Sequence, residues 1–219
     1  AANSGRLPGL FEQGQAASGS ADAFEYAGRS GQTVYSGHAA LWQGETAVRG
    51  DRITLDQDSA DIRVTGAARS SLVLSTGTTI SRSGSLVYLD KARTITYDGD
   101  ASAPAQVSGP DGDLRAAHIS VILARDGNRP QSIDATQNVR IVIDTRTVTG
   151  THLVYAAADE RYVMTGAERR PVKITEACRE TTGSTLTFFK SADRIIIDGN
   201  EEARTQSIRG TQCSEPGRR

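Results

Sequence analysis

Large apolar residues recur along this chain in a single cassette whose spacing barely drifts. Phe24 and Tyr26 stand two apart, and Gly37 follows Tyr26 by eleven residues. The same step of eleven links Leu55 to Gly66, Tyr88 to Gly99, Tyr155 to Gly166 and Phe188 to Gly199. Counting five back from each anchor marks cassette starts at 21, 50, 83, 150 and 183. A further copy fits at 116, anchored by Val121, if Asp126–Pro130 is a five-residue insertion ahead of Gln137. The starts are then 29, 33, 33, 34 and 33 residues apart. A fixed period in this range implies stacked units, each completing its core only against its neighbours.

Within a cassette the pattern is that of strands. The first segment alternates, as in Ile53-Thr54-Leu55, Ile119-Ser120-Val121 and Leu186-Thr187-Phe188, and so does the second, as in Ile62-Arg63-Val64 and Ile195-Ile196-Ile197. Period two with β-branched and aromatic residues predicts strands buried on one face. The glycines at 37, 66, 99, 166 and 199 are expected to turn the chain after the second segment, where glycine tolerates positive φ or a bulge. A third, less regular segment follows, as in Asn138-Val139-Arg140-Ile141-Val142-Ile143. Nothing keeps a helical i, i+3, i+4, i+7 pattern, so the fold class expected is all-β with mostly antiparallel strands.

Numbering each start as zero, positions 3, 5, 12 and 14 should face inward. All six tyrosines obey: Tyr26, Tyr88 and Tyr155 at 5, Tyr35 and Tyr97 at 14, and Tyr162 at 12, with the single methionine, Met164, at 14. Polar residues such as Glu25, Arg63, Ser120 and Asp134 fill the intervening positions.

Composition changes this picture little. The 219 residues are 37% hydrophobic and 23% charged, enough for one elongated domain with a substantial core. A net charge of −1 gives no overall basic balance for nucleic acid. No run of about 18 apolar residues could span a membrane as a helix. Residues 1–20, rich in Gly, Ser, Ala and Gln, read as a flexible linker with Leu7-Pro8-Gly9-Leu10-Phe11 packing on the first rung. The domain is expected over 21–213 and a disordered tail over 214–219. The start at Ala1-Ala2-Asn3 fits a mature form or a chain lacking an anchoring segment.

The runs Tyr35-Ser36-Gly37-His38-Ala39-Ala40-Leu41-Trp42-Gln43-Gly44, Gly50-Asp51-Arg52-Ile53-Thr54-Leu55-Asp56, Asp134-Ala135-Thr136-Gln137-Asn138-Val139 and Gly183-Ser184-Thr185-Leu186-Thr187-Phe188 resemble the OstA/LptA family of lipopolysaccharide-transport proteins. The resemblance covers roughly residues 20 to 210. It implies a β-jellyroll folded like a V, the β-taco, whose greasy groove carries the acyl chains of lipid A. Such modules stack end to end across the periplasm, between an inner-membrane transporter complex and an outer-membrane translocon. Gln137 stands where the family pattern has glycine, and the insertion at Asp126–Pro130 is atypical. Four places in the export chain stay open: soluble bridge, anchored LptC-like component, fusion of the two, or periplasmic part of the translocon.

The groove residues expected on this reading are Phe24, Tyr26, Tyr35, Ile53, Leu55, Ile62, Val64, Leu86, Tyr88, Ile95, Tyr97, Ile119, Val121, Leu153, Tyr155, Tyr162, Met164, Leu186 and Phe188. Acyl chains need a long apolar surface screened from water, at about 0.8 kcal/mol per methylene buried, and these columns supply one. Tyrosine hydroxyls need partners, which fits a groove with a polar mouth. The expected partners are lipopolysaccharide or a related lipid, other modules of the same kind, and further copies joined head to tail through open sheet edges near Phe24-Glu25-Tyr26 and Ile195-Ile196-Ile197. The expected location is the periplasm, with a tether to the inner membrane left open.

Catalytic signals are poor. His118 and His152 share cassette position 2 on the outer face, and no acidic or cysteine ligand is expected in their column. Acidic pairs such as Asp56 and Asp58 fall at turns, where they stabilise the chain locally. A carbohydrate-active β-helix enzyme would need two converging carboxylates. That class and a purely structural β-solenoid are the alternatives; no enzyme activity, cofactor, metal or nucleic acid is expected. Cys178 and Cys213 occupy positions 28 and 30 of the last two cassettes. Equivalent positions of neighbouring rungs lie roughly 5 Å apart, so an oxidising periplasm permits a disulfide between them.

Overall fold

The computed structural model describes residues 7–28, 30–125, 127–177 and 179–199 and the strand Gln206–Arg209. These residues form an all-β, antiparallel, repeat-built jellyroll: eighteen strands in one continuous sheet, bent into two walls that meet along a line of hinges as a V.

One cassette shows how the chain builds both walls. The strand Thr46–Asp56 starts in the second wall, bends at Asp51 and ends in the first. After a turn at 57–61, Ile62–Leu74 runs back along the first wall, bends at Gly66 and Ala67 and continues in the second. Gly77–Leu89 then returns, bending at Gly84. The other cassettes repeat this zigzag, with loops at 99–104 and 166–171 replacing a continuous bend in two of them. All turns therefore lie along one open edge, the mouth, and all bends along the closed edge.

The bends have a local cause. The ladder register slips between Ser36 and Ala39, between Thr65 and Ala68 and between Thr136 and Val139, so two residues of one strand oppose one of its neighbour. Such bulges kink a strand and re-aim it. The bulged pairs sit in left-handed backbone: Gly37 and His38 at φ 75° and 47°, Gly66 and Ala67 at 75° and 45°, Gln137 and Asn138 at 66° and 56°. Glycine tolerates that region freely. Gln137 occupies it without that freedom, which explains how the chain departs from the glycine pattern and still bends. Of the glycines expected to turn the chain, Gly37 and Gly66 sit in bulges at the bends, and Gly99 and Gly166 open the loops that replace a bend.

Two further segments have a place in the fold. The linker expected over 1–20 is packed structure from Leu7 on: Leu10 and Phe11 join the core, and Ser18–Ser20 pairs with Gln32–Gln43 in the second wall. The insertion lengthens a first-wall hairpin, adding the pairs Ile122–Ser132 and Leu123–Pro130. Cys178, Cys213 and the tail 214–219 lie outside the described residues, but equivalent positions of neighbouring cassettes, such as Ile53 and Leu86, are separated by an intervening strand, about 9–10 Å rather than roughly 5 Å, so the spacing expected to permit their disulfide does not hold.

Candidate functional site

The inner face of the first wall carries two unbroken rows across twelve strands. One runs Phe24, Tyr35, Ile53, Val64, Leu86, Tyr97, Ile119, Ala135, Leu153, Met164, Leu186, Ile197. The other runs Tyr26, Thr33, Leu55, Ile62, Tyr88, Ile95, Val121, Ile133, Tyr155, Tyr162, Phe188, Ile195. All the groove candidates lie in these rows. From Ile53 to Phe188 nearly all are buried, while Leu55 and Tyr155 are half-buried. Phe24 and Tyr26 are 61% and 47% exposed because, among the described residues, their strand, Ala23–Ala27, is the last of the wall. The register holds because a slip of one residue would turn every large side chain to solvent.

Sequence reasoning missed the facing row of the second wall: Leu41, Val48, Ser70, Ser81, Val107, Leu114, Ile141, Val148, Ile174, Thr181. Its strands do alternate, and Val139, Ile141, Ile143 and Val148 gave that signal. Small polar members hide the rest. Ser70 and Ser81 are buried with their hydroxyls 2.7 Å apart, and both meet the Tyr97 hydroxyl reaching over from the first wall. Burial pushes the Tyr97 phenol up to about 12, the two serine hydroxyls only partly offsetting it. Tyr88 and Tyr162 are raised by the same desolvation.

Free space runs between the walls. An apolar cavity of about 90 Å³ lies at mid-length, lined by residues including Leu72, Ile95, Tyr97, Leu114, Ile119 and Val121. It shares Ile141, Leu153 and Tyr162 with a second space of about 20 Å³, which shares Ile174 and Ile195 with one of about 360 Å³ at the C-terminal end. A dry cavity of roughly 150 Å³ holds one benzene, so the central space takes a longer chain only if the walls part. Sideways, the path reaches the mouth through a hollow of about 670 Å³ bordered by Arg125, Arg129, Tyr155, Glu160 and Lys190.

Ion pairs cross the mouth beside that hollow. Lys190 of a first-wall turn donates to Asp111 of a second-wall turn. Arg146 reaches from the second wall to Asp193 of the first at 2.5 Å, holds Glu176 at 2.9 Å and lies over the Phe188 ring. Asp193 hydrogen-bonding raises the Arg146 guanidinium further, and Arg146 in turn lowers the Asp193 carboxyl.

On the outside, the histidines have acidic neighbours that the sequence reading did not give them. His118 Nδ1 lies 2.6 Å from Asp98, directly opposite it in the ladder, and His152 Nε2 lies 2.9 Å from Asp134. At a bend, His38 Nδ1 lies 2.9 Å from Asp22, whose hydrogen bond raises the imidazole. Among the described residues, no three His, Cys, Asp or Glu side chains gather as a metal site requires.

The family model described as "LptA/(LptD N-terminal domain) LPS transport protein" matches residues 9–61 and 20–202. Overlapping matches are what an internally repeated chain gives. Among solved structures, the periplasmic lipopolysaccharide-transport component LptH of Pseudomonas aeruginosa, an LptA homologue, aligns over 89% of this chain and 94% of its own, at 14% identity and a TM-score of 0.24. No curated protein sequence matches.

Proposed function

Because the chain belongs to the LptA/LptD N-terminal-domain family of lipopolysaccharide-transport proteins, we propose that it is a periplasmic conduit module that holds lipid A acyl chains between its walls. Lipopolysaccharide passes through it from the inner-membrane exporter towards the outer membrane. The family is a transport component, and the role proposed is transport without chemistry. The observation that carries the reading is the pair of unbroken apolar rows facing a cavity path that opens both sideways and at the C-terminal end. An amphipathic lipid crossing water needs that combination: cover for its chains and an open edge for its sugars.

The exposed Phe24 and Tyr26 end the rows at one side, on the strand Ala23–Ala27, whose ladder among the described residues is with Gln32–Gln43. We place a neighbouring module there, continuing the ladder and covering both rings. Photocrosslinking tests the cargo. A photoreactive residue at Tyr155 or Ile133 should capture lipopolysaccharide in cells, and one at the outward Val154 should not. Equal capture from both faces, or none from the inner one, overturns the reading.

A further inference from the structure

We propose that Pro8–Phe11 is a strap across the N-terminal end of the mouth, latched by Arg93, and that lipid occupies that end only after the strap leaves. The proposal rests on the reading of the groove as a lipid conduit, and it assigns that groove a built-in occupant.

The strap touches both walls. Phe11 N–H donates to Pro8 O at 2.9 Å, closing a compact turn that puts Leu10 and Phe11 into the core at 4% and 5% exposure. At the first wall, Gly9 N–H donates to Asp90 Oδ1 at 2.7 Å, and Arg93 Nη1 donates to Gly9 O at 2.9 Å. At the second, Gln43 accepts from Glu12 N–H at 2.6 Å and donates to Glu12 O at 3.1 Å and Gln15 O at 3.0 Å. The segment therefore lies where an acyl chain would lie, and presents two apolar side chains of similar character.

Arg93 ties the strap to the rest of the site. It also donates to the Tyr88 hydroxyl at 2.9 Å, and to Gly127 O and Asn128 Oδ1 at 2.7 Å each. The atypical insertion thus supplies two of the latch's acceptors. The cavity path takes over where the strap stops: the central space is lined from Leu72 and Ile95 onwards, with no residue of the first cassette. Space at Gly9 is closed by the latch itself, since a Cβ there would meet the Arg93 guanidinium, the Asp90 carboxylate and the Tyr88 hydroxyl. A side chain at position 9 therefore pushes on the Arg93 latch, and on the Tyr88 hydroxyl that Arg93 holds, without replacing any groove residue.

The test uses the full chain and dansyl-labelled undecanoic acid as the alkyl probe. Gly9→Val should bind the probe about tenfold more tightly than the parent, because the competing closed state is depopulated. Hydrogen exchange on the unaltered protein supplies the second measurement. Saturation with probe should remove protection at the Gly9 and Glu12 amides while the ladder at Thr94–Asp98 stays protected. Unchanged affinity with Gly9 and Glu12 still protected overturns the strap alone. A probe that binds neither protein overturns the conduit reading and the strap with it. If Gly9→Val fails to fold, or the two measurements disagree, exchange on the unaltered protein decides.

Discussion

Follow one inner row across each wall. In the first wall the row passes Ile53, Val64, Leu86, Tyr97 and Ile119. In the second the facing row passes Leu41, Val48, Ser70, Ser81 and Val107. Both walls are continuous through the same bends, so backbone geometry is shared and side-chain volume is not. At Ser70 and Ser81 the second wall is small where the first is large. Where the second wall narrows to serines, Tyr97 crosses over to use the gap. The cavity path lies beyond that filled gap, lined on the second wall by Leu72, Val107, Leu114 and Ile141, and its bore is set by whichever side chains stand opposite each other.

The sharpest way to break this contrast is to remove volume from the first wall. Tyr97→Ala should cost about 3–5 kcal/mol in urea unfolding, since it opens a cavity and strands the Ser70 and Ser81 hydroxyls. An outward neighbour, Thr96→Ala, should stay within about 0.5 kcal/mol. Similar losses at both sites would remove the distinction between faces.

Alkaline titration probes the same side chain without a mutation. Tyr97 ionises at about 12 when folded and near 10 when unfolded. Between those values the unfolded state loses its proton first, so stability is full below pH 10 and falls as pH rises to about 12. The loss from Tyr97 is about 2–3 kcal/mol, and Tyr88 and Tyr162, shifted the same way, deepen it. A Tyr97→Phe protein should lose less over that window. Identical pH profiles for the two proteins would contradict the buried placement.

Adding volume to the second wall should cost less. Ser81→Leu drives a branched chain against Tyr97, at about 1–3 kcal/mol. Combined with Tyr97→Ala it should recover part of the loss, giving a coupling energy of about 1 kcal/mol or more. Strict additivity would mean that the two walls do not meet there.

The smallest effect lies at a bend, which both walls share. Gln137→Gly relieves a left-handed side-chain residue and should raise stability by about 0.5–1 kcal/mol, once the greater freedom of glycine in the unfolded chain is deducted. Destabilisation would show that the Gln137 side chain contributes something its backbone strain conceals.

The two walls were unequally legible from sequence, for a physical reason. First-wall strands announce themselves because alternation, size and period coincide, so even Met164 could be placed. In the second wall Ser70, Ser81 and Thr181 are inward yet polar, and the loops at 99–104 and 166–171 offset the spacing. Glycine at a bulge and glycine at a turn look alike in a sequence, so it could not separate the bulges at Gly37 and Gly66 from the loops that open at Gly99 and Gly166. Leu7–Phe11 was expected to pack on the first rung, but no local pattern could reveal that its latch, Arg93, lies in the cassette that starts at 83.

The zigzag also makes this molecule a ruler. Each cassette of about 33 residues lays two strands into each wall, and strands repeat every 4.7–4.9 Å, so one cassette adds about 9–10 Å. Twelve strands to a wall therefore span roughly 50 Å. Reach and bore are governed separately: copying a cassette extends the distance covered without altering cross-section, and exchanging inward side chains alters cross-section without changing distance. A gene that gains or loses one such unit changes how far across a compartment its product extends, while everything travelling along it meets the same walls.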